Sequence, residues 1–204
     1  MRAVGSAEGG RTPLFNGKDL AGWRVVDEAE FARHGAAHVK DGILVLDAGY
    51  PLTGIVYEGE FPRDEYEVEL QAMRVEGDDF FCGMTFPVGD SYLTWIVGGW
   101  GGEVVGLSNV DDLNASENET SRVISFRNGR WCPLRLRVAG GRVTAWVGCE
   151  QVIDLATEGR RLAIWPEQEP CRPLGVSTFY TTAAIRKFVL RRLPEPRATA
   201  GAGG

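Results

Sequence analysis

The chain has 204 residues, among them 27 Gly and 10 Pro, with 44% apolar and 25% charged residues. Gly is about twice as frequent as the usual ~7%, and since Gly costs about 1 kcal/mol and Pro about 3 inside a helix, a long bundle or coiled coil is excluded, while the length fits one domain with its own core. The formal charge of -6 repels phosphate backbones and anionic lipid, so neither nucleic acid nor a membrane surface is an expected partner.

Residues 1–11 read as a flexible tail without the apolar stretch of a signal peptide. That start predicts a cytoplasmic protein, or a periplasmic or secreted one if a leader was removed. No apolar run approaches the ~20 residues that cross a bilayer. Asp27 and Glu30 match a D-x-x-E capping box, which predicts a short helix ended by Gly35. Strands are expected at 43–47 and 54–58. Over 65–72, Tyr66, Val68, Leu70 and Ala72 alternate with Glu65, Glu67, Glu69 and Gln71, the period-two pattern of a strand with one face in the core and an acidic face in water.

Further strands are expected at 79–86, 92–97 and 103–107, then a helical turn within 111–120 and a strand at 122–127. Leu134, Leu136 and Val138 alternate with Arg135 and Arg137, and Val143, Ala145 and Val147 with Arg142, Thr144 and Trp146. Between these two runs, Gly140-Gly141 supplies a hairpin turn. Strands at 152–155, 174–180 and 185–193 follow, and residues 194–204 read as a disordered tail. The pattern predicts an all-β domain over 12–193, a two-sheet antiparallel β-sandwich with one or two short helices.

Motifs of familiar chemistry are sparse. His34 and His38 would share a helix face, but Gly35 intervenes and no third ligand is close, so a metal pair is not favoured. No G-x-S-x-G elbow supports a serine hydrolase. Cys82, Cys132, Cys149 and Cys171 form no C-x-x-C pair and read mainly as buried thiols, with an oxidised Cys149 and Cys171 pair as the alternative. Gly98-Gly99-Trp100-Gly101-Gly102 lacks a phosphate-loop ending and reads as a tight connection between strands. Trp100 within it could offer its face to a sugar ring, and an acidic chain with six Trp suits a neutral polar ligand. Trp23, Trp131 and Trp165 read as core. Asp79, Glu117 and Glu119 are candidates for paired-carboxylate acid and base chemistry. The sequons at Asn114 and Asn118 read as incidental.

The segment Leu14-Phe15-Asn16-Gly17-Lys18-Asp19-Leu20-Ala21-Gly22-Trp23 resembles the L-F-N-G-x-D-L-x-G-W opening of bacterial 3-keto-disaccharide hydrolase domains. The likeness continues through Lys40-Asp41-Gly42-Ile43-Leu44, with His38 where the family usually has Trp, to the closing stretch 175–193. It implies a concanavalin A-like jelly roll, in line with the strand pattern, and activity on glycosides carrying a ketone at the third carbon. The ketone acidifies the neighbouring C–H, a base removes that proton, the glycosidic oxygen leaves, and hydration completes net hydrolysis. Two departures stand out: Gln71-Ala72-Met73-Arg74 where the family carries E-x-R, and Phe81-Cys82-Gly83 in place of N-S-G. Gln is neither acid nor base at neutral pH.

The expected activity is therefore that of a carbohydrate-active hydrolase or lyase, with Asp79 or Glu119 as base or acid and Arg74 as the cation near developing negative charge. Trp100 is the expected stacking platform, with Gln71, Glu117, Asn118 and Thr85 in the binding surface. The alternatives are a non-catalytic, lectin-like binding module and a purely structural sandwich. A small saccharide or glycoside is the expected partner; no cofactor is evident, and a divalent metal is left open.

Overall fold

The structure, a computed structural model, describes residues 10–195. The expected tails at 1–11 and 194–204 lie almost wholly outside that range, although Arg11 is already in a strand. Two antiparallel sheets face each other. The first has the order β13-β12-β11-β6-β15-β4-β3, with β1 added on β15. Its strands are β1 (Arg11–Pro13), β3 (Ala37–Lys40), β4 (Ile43–Leu46), β6 (Tyr66–Glu76), β11 (Cys132–Ala139), β12 (Arg142–Val147), β13 (Glu150–Ala156) and β15 (Thr182–Arg192). The second has the order β10-β9-β8-β7-β14-β5-β2. It comprises β2 (Trp23–Val25), β5 (Leu52–Tyr57), β7 (Cys82–Val88), β8 (Ser91–Gly99), β9 (Val104–Ser108), β10 (Arg122–Val123) and β14 (Gly175–Phe179).

The alternation read in the sequence sets the inner faces. Val68, Leu70, Leu134 and Leu136 of the first sheet share one apolar core with Met84, Phe86, Trp95 and Leu107 of the second. Val138 pairs with Val143 and Ala139 with Arg142. Gly140 and Gly141 close that hairpin at φ 56° and 68°, the left-handed pair that a two-residue turn needs to match strand twist.

Several local expectations are corrected. No helix is capped by Asp27: a three-residue 3-10 helix covers Ala29–Phe31 and its N-cap Glu28 makes no side-chain cap bond. Ala29 at φ 52° breaks the helical path, and Phe31 is buried in an apolar cluster. Within 111–120 a single helical turn closes, Asn118 N donating to the Asn114 carbonyl at 3.1 Å, and it goes no further because Asn118 Nδ2 donates to the carbonyls of Leu107, Leu113 and Asn114, satisfying acceptors from the side as asparagine does in turns. A second 3-10 segment, not read in the sequence, lies at Pro166–Cys171. Only Arg122–Val123 of the expected 122–127 strand pairs. Glu67, expected in water, is 2% exposed and accepts from Arg137 Nε at 2.9 Å, so a cross-strand cation replaces its hydration.

All four cysteines are free thiols, with Cys82 and Cys171 buried and Cys149 exposed, so the Cys149 and Cys171 pair is not formed. His38 lies in β3, its Nδ1 3.8 Å from Asp47 Oδ2, and His34 Nδ1 sits 2.6 Å from the Gly35 carbonyl. The two imidazoles therefore do not share a helix face. No helix among the described residues is long and apolar enough to cross a membrane.

Candidate functional site

Every residue of β7 is buried, which period-two exposure would not give. The outer face of the second sheet is covered as well as the inner one. Phe31 of the first 3-10 helix, Ala115 of the turn segment and Cys171 of the second 3-10 helix join Leu52, Phe80 and Ile96 in a separate apolar cluster there. Glycine permits the close approach: a Cβ at Gly106 would stand 2.5 Å from the Ala115 carbonyl oxygen. These covering segments leave a cleft of about 530 Å³ between them, floored by β8, β9 and β14.

Three kinds of side chain line the cleft. Its aromatic walls are Phe80, Trp100, Trp165 and Phe179, and Thr94, Ser108 and Gln168 are polar groups along it. Its ionisable residues are Glu30, Asp79 and Glu167, with no Lys, Arg or His in the lining. Trp100 is 49% exposed and Trp165 43%, although Trp is ordinarily among the more buried side chains.

The glycine loop explains how Trp100 is presented. Trp100 adopts φ 50°, and the N–H groups of Gly102 and Glu103 both donate to the Gly99 carbonyl at 3.2 Å, closing a tight turn that lifts the indole away from the sheet. Asp79 ties the turn down: its Oδ2 accepts from Gly101 N at 3.3 Å and its Oδ1 from Phe80 N at 2.7 Å. On the other wall, Pro166 starts the second 3-10 helix directly after Trp165, a position where its missing N–H costs nothing. Gln168, 5% exposed, accepts from Ser177 Oγ through Oε1 at 2.8 Å. Ser108 Oγ accepts from Ala115 N at 2.9 Å, leaving its hydroxyl proton to donate elsewhere.

The residues singled out in the sequence divide between this cleft and other places. Asp79 and Trp100 line it together. Thr85 lies behind Thr94, their hydroxyl oxygens 2.9 Å apart. Arg74 is buried, donating to Asn128 Oδ1 and to the carbonyls of Phe126, Gly102 and Asp79. Gln71 sits on the first sheet and accepts from Arg186 Nε at 2.8 Å. Asn118 holds the turn segment, and Glu117 accepts from Asn114. Glu119 forms an ion pair with Arg160, which also pairs with Asp111 at 2.7 Å. Its hydrogen bonds to the accepting carboxylates of Glu119 and Asp111 push the pKa of the Arg160 guanidinium above its ordinary value.

Trp165, expected in the core, is instead a cleft wall, whereas Trp23 is buried as expected and Trp131 is half-buried under Arg186, 4.0 Å above its ring. Glu167 and Gln168 carried no motif, and Glu30 was read only as half of a capping box, whereas all three line the cleft. The available signal was Trp165-Pro166-Glu167, an aromatic in a stretch without strand alternation. Among the described residues no group of three His, Cys, Asp or Glu side chains is arranged to hold a metal ion.

The sequence profile of the 3-keto-alpha-glucoside-1,2-lyase-like domain family matches residues 10–189. The chain belongs to this family. It is thus a carbohydrate-related, hydrolase-like β-sandwich domain. No curated protein matches it in sequence. Among solved structures it is similar to a galectin-like protein of unknown function from Bacillus subtilis, at 12% identity and TM-score 0.63, covering 93% of this chain and 98% of that one. A prokaryotic β-1,3-1,4-glucanase (lichenase) from a mouse hindgut metagenome gives 8% identity and TM-score 0.56, over 92% and 100%. The carbohydrate-binding module CBM66 from Bacillus subtilis gives 12% and 0.50, over 83% and 95%. These likenesses establish the fold, a jelly-roll sandwich.

Proposed function

We propose that the domain binds a saccharide in the cleft on the outer face of the second sheet and cleaves a 3-keto-glycoside there by elimination. The observation that carries this is the pairing of two exposed indoles, Trp100 and Trp165, with a lining whose only ionisable groups are carboxylates. Indole faces stack on the C–H faces of sugar rings, and carboxylates and amides take hydroxyls. In the elimination, a carboxylate takes the proton beside the ketone. The electrons of that C–H bond form the new C=C bond as the glycosidic C–O bond breaks, and the departing oxygen takes up a proton before water adds. Of the lining acids, Glu30 and Glu167 are engaged by no protein hydrogen bond among the described residues, and Glu167, between the Trp165 wall and the Gln168 amide along the chain, suits the base. The hydroxyls of Ser108 and Thr94 and the Gln168 amide are the neutral donors for the developing enolate oxygen. Glu119 and Arg74, placed outside the lining, take no part in this scheme.

A second reading, binding without turnover, is favoured by the engagement of both Asp79 oxygens with backbone N–H groups. Purified protein incubated with 3-keto-trehalose separates the two. Release of glucose that is lost in Glu167→Gln supports the elimination, and saturable binding without release supports the second reading. Absence of both binding and release overturns the assignment of the cleft.

A further inference from the structure

Arg74 is 7% exposed, yet all its partners are neutral. Asn128 Oδ1 and the Phe126 carbonyl accept at 2.7 Å, and the Gly102 and Asp79 carbonyls at 3.3 and 3.4 Å. None of the ion pairs among the described residues includes it. A buried guanidinium without a counter-charge is costly, and in a chain with a surplus of acids its isolation is conspicuous.

Arg74 lines a second concavity of about 370 Å³ that shares no residue with the saccharide cleft. Arg127 and Arg130, both exposed, line it too, as do Trp131 and Ser125, and no Asp or Glu does. Neither Arg127 nor Arg130 has an ion-pair partner among the described residues. Arg186, stacked 4.0 Å above the Trp131 ring, is held by the Gln71 amide oxygen rather than by a carboxylate. One carboxylate reaches the rim: Glu103 Oε1 accepts from Ser125 Oγ at 2.7 Å. The two concavities thus have opposite character: the charged side chains lining the first are all acids and those lining the second are all arginines.

We propose that this second concavity is a binding site for a small oxyanion, a carboxylate or phosphate group, held between the Arg74, Arg127 and Arg130 guanidiniums. The planar N–H forks of Arg127 and Arg130 match either group bidentately, and Arg74, whose Nε and Nη1 are already engaged, has one Nη2–H left to donate. Arg74 supplies the fixed charge at the base, since its contacts with Asn128 and the Phe126 carbonyl set its orientation, while Arg127 and Arg130 are free to close on the ligand. Trp131 gives the organic part of such a ligand an apolar wall.

Titration calorimetry with inorganic phosphate and with glucuronate, at constant ionic strength set with sodium chloride, tests the proposal and distinguishes the two oxyanions. The expected result is saturable binding of at least one probe, with the dissociation constant raised at least tenfold in Arg127→Gln/Arg130→Gln. Both substitutions are at exposed positions and leave Arg74 and its fold contacts intact. A second readout is the Trp131 indole N–H resonance, which should shift with the same binding curve. Absence of saturation with both probes, or equal affinity in the double variant, would overturn the proposal.

Discussion

Removing the Trp100 ring by Trp100→Ala tests the saccharide cleft quantitatively. A Trp side chain offers roughly 250 Å², so at 49% exposure about 120 Å² of Trp100 faces solvent. A sugar covering half of that removes ~60 Å² from water, worth ~1.5 kcal/mol at ~25 cal/mol per Å², or about twelvefold in Kd. The 43% exposure of Trp165 leads by the same reasoning to about tenfold for Trp165→Ala. Both together should weaken binding about a hundredfold if the walls act independently. Trehalose, an α-glucoside without the ketone, serves as the non-reacting ligand in titration calorimetry. Because both indoles are solvent-facing, neither variant should lower Tm by more than a few degrees. Trp146→Ala, in which the lost ring stacks 3.9 Å beneath Arg135 on the first sheet, should leave trehalose affinity unchanged. Equal losses in Trp146→Ala and Trp100→Ala, or unchanged affinity in the double variant, would show that the sugar does not stack on Trp100 and Trp165.

Three further outcomes concern the scaffold. Gly106→Ala drives a Cβ to 2.5 Å from the Ala115 carbonyl oxygen, an overpacking that should cost about 1–3 kcal/mol and be read as a lowered midpoint in urea unfolding. Glu67→Gln strips the charge that Arg137 and Arg191 face; since Arg137 is partly exposed, the loss should be about 2 kcal/mol, below the ~3–5 of a fully buried pair, and thermal unfolding reads it. Burial raises the thiols of Cys132 to about 11 and Cys171 to about 12 and pushes Cys82 higher still. A thiol reagent at pH 8 should therefore label Cys149 first, with the fast phase lost in Cys149→Ser. Because these folded thiols hold their protons above the unfolded value near 9, the native state binds more protons there, and stability should fall as pH rises past about 9.

What was legible in the sequence follows from which forces are local. The β11 and β12 hairpin was readable because alternation and a Gly-Gly turn both act within a few residues. Glu67 was misread because its burial depends on Arg137 and Arg191, brought alongside from strands 70 and more residues away along the chain. Trp100 stood out through its flanking glycines, which force the ring outward. Trp165 did not, since a Trp before Pro is equally compatible with a core position and a cleft wall until the second 3-10 helix is laid across the sheet. The scattering of Glu117, Asn118 and Glu119 has the same origin: a polar stretch that looks like a site is held as a turn by Asn118, and its acids point to Asn114 and Arg160. The family's opening motif, by contrast, identified the sandwich without any of these contacts.

In the proposed complex the saccharide lies between Trp100 and Trp165. The six Trp residues give six indole N–H resonances, and titrating trehalose into ¹⁵N-labelled protein follows them all at once. The Trp100 and Trp165 signals should move together along one binding curve while those of the buried Trp95 and of Trp146 on the opposite sheet stay in place. Movement of the Trp146 or Trp131 signals, with Trp100 and Trp165 unmoved, would contradict that placement.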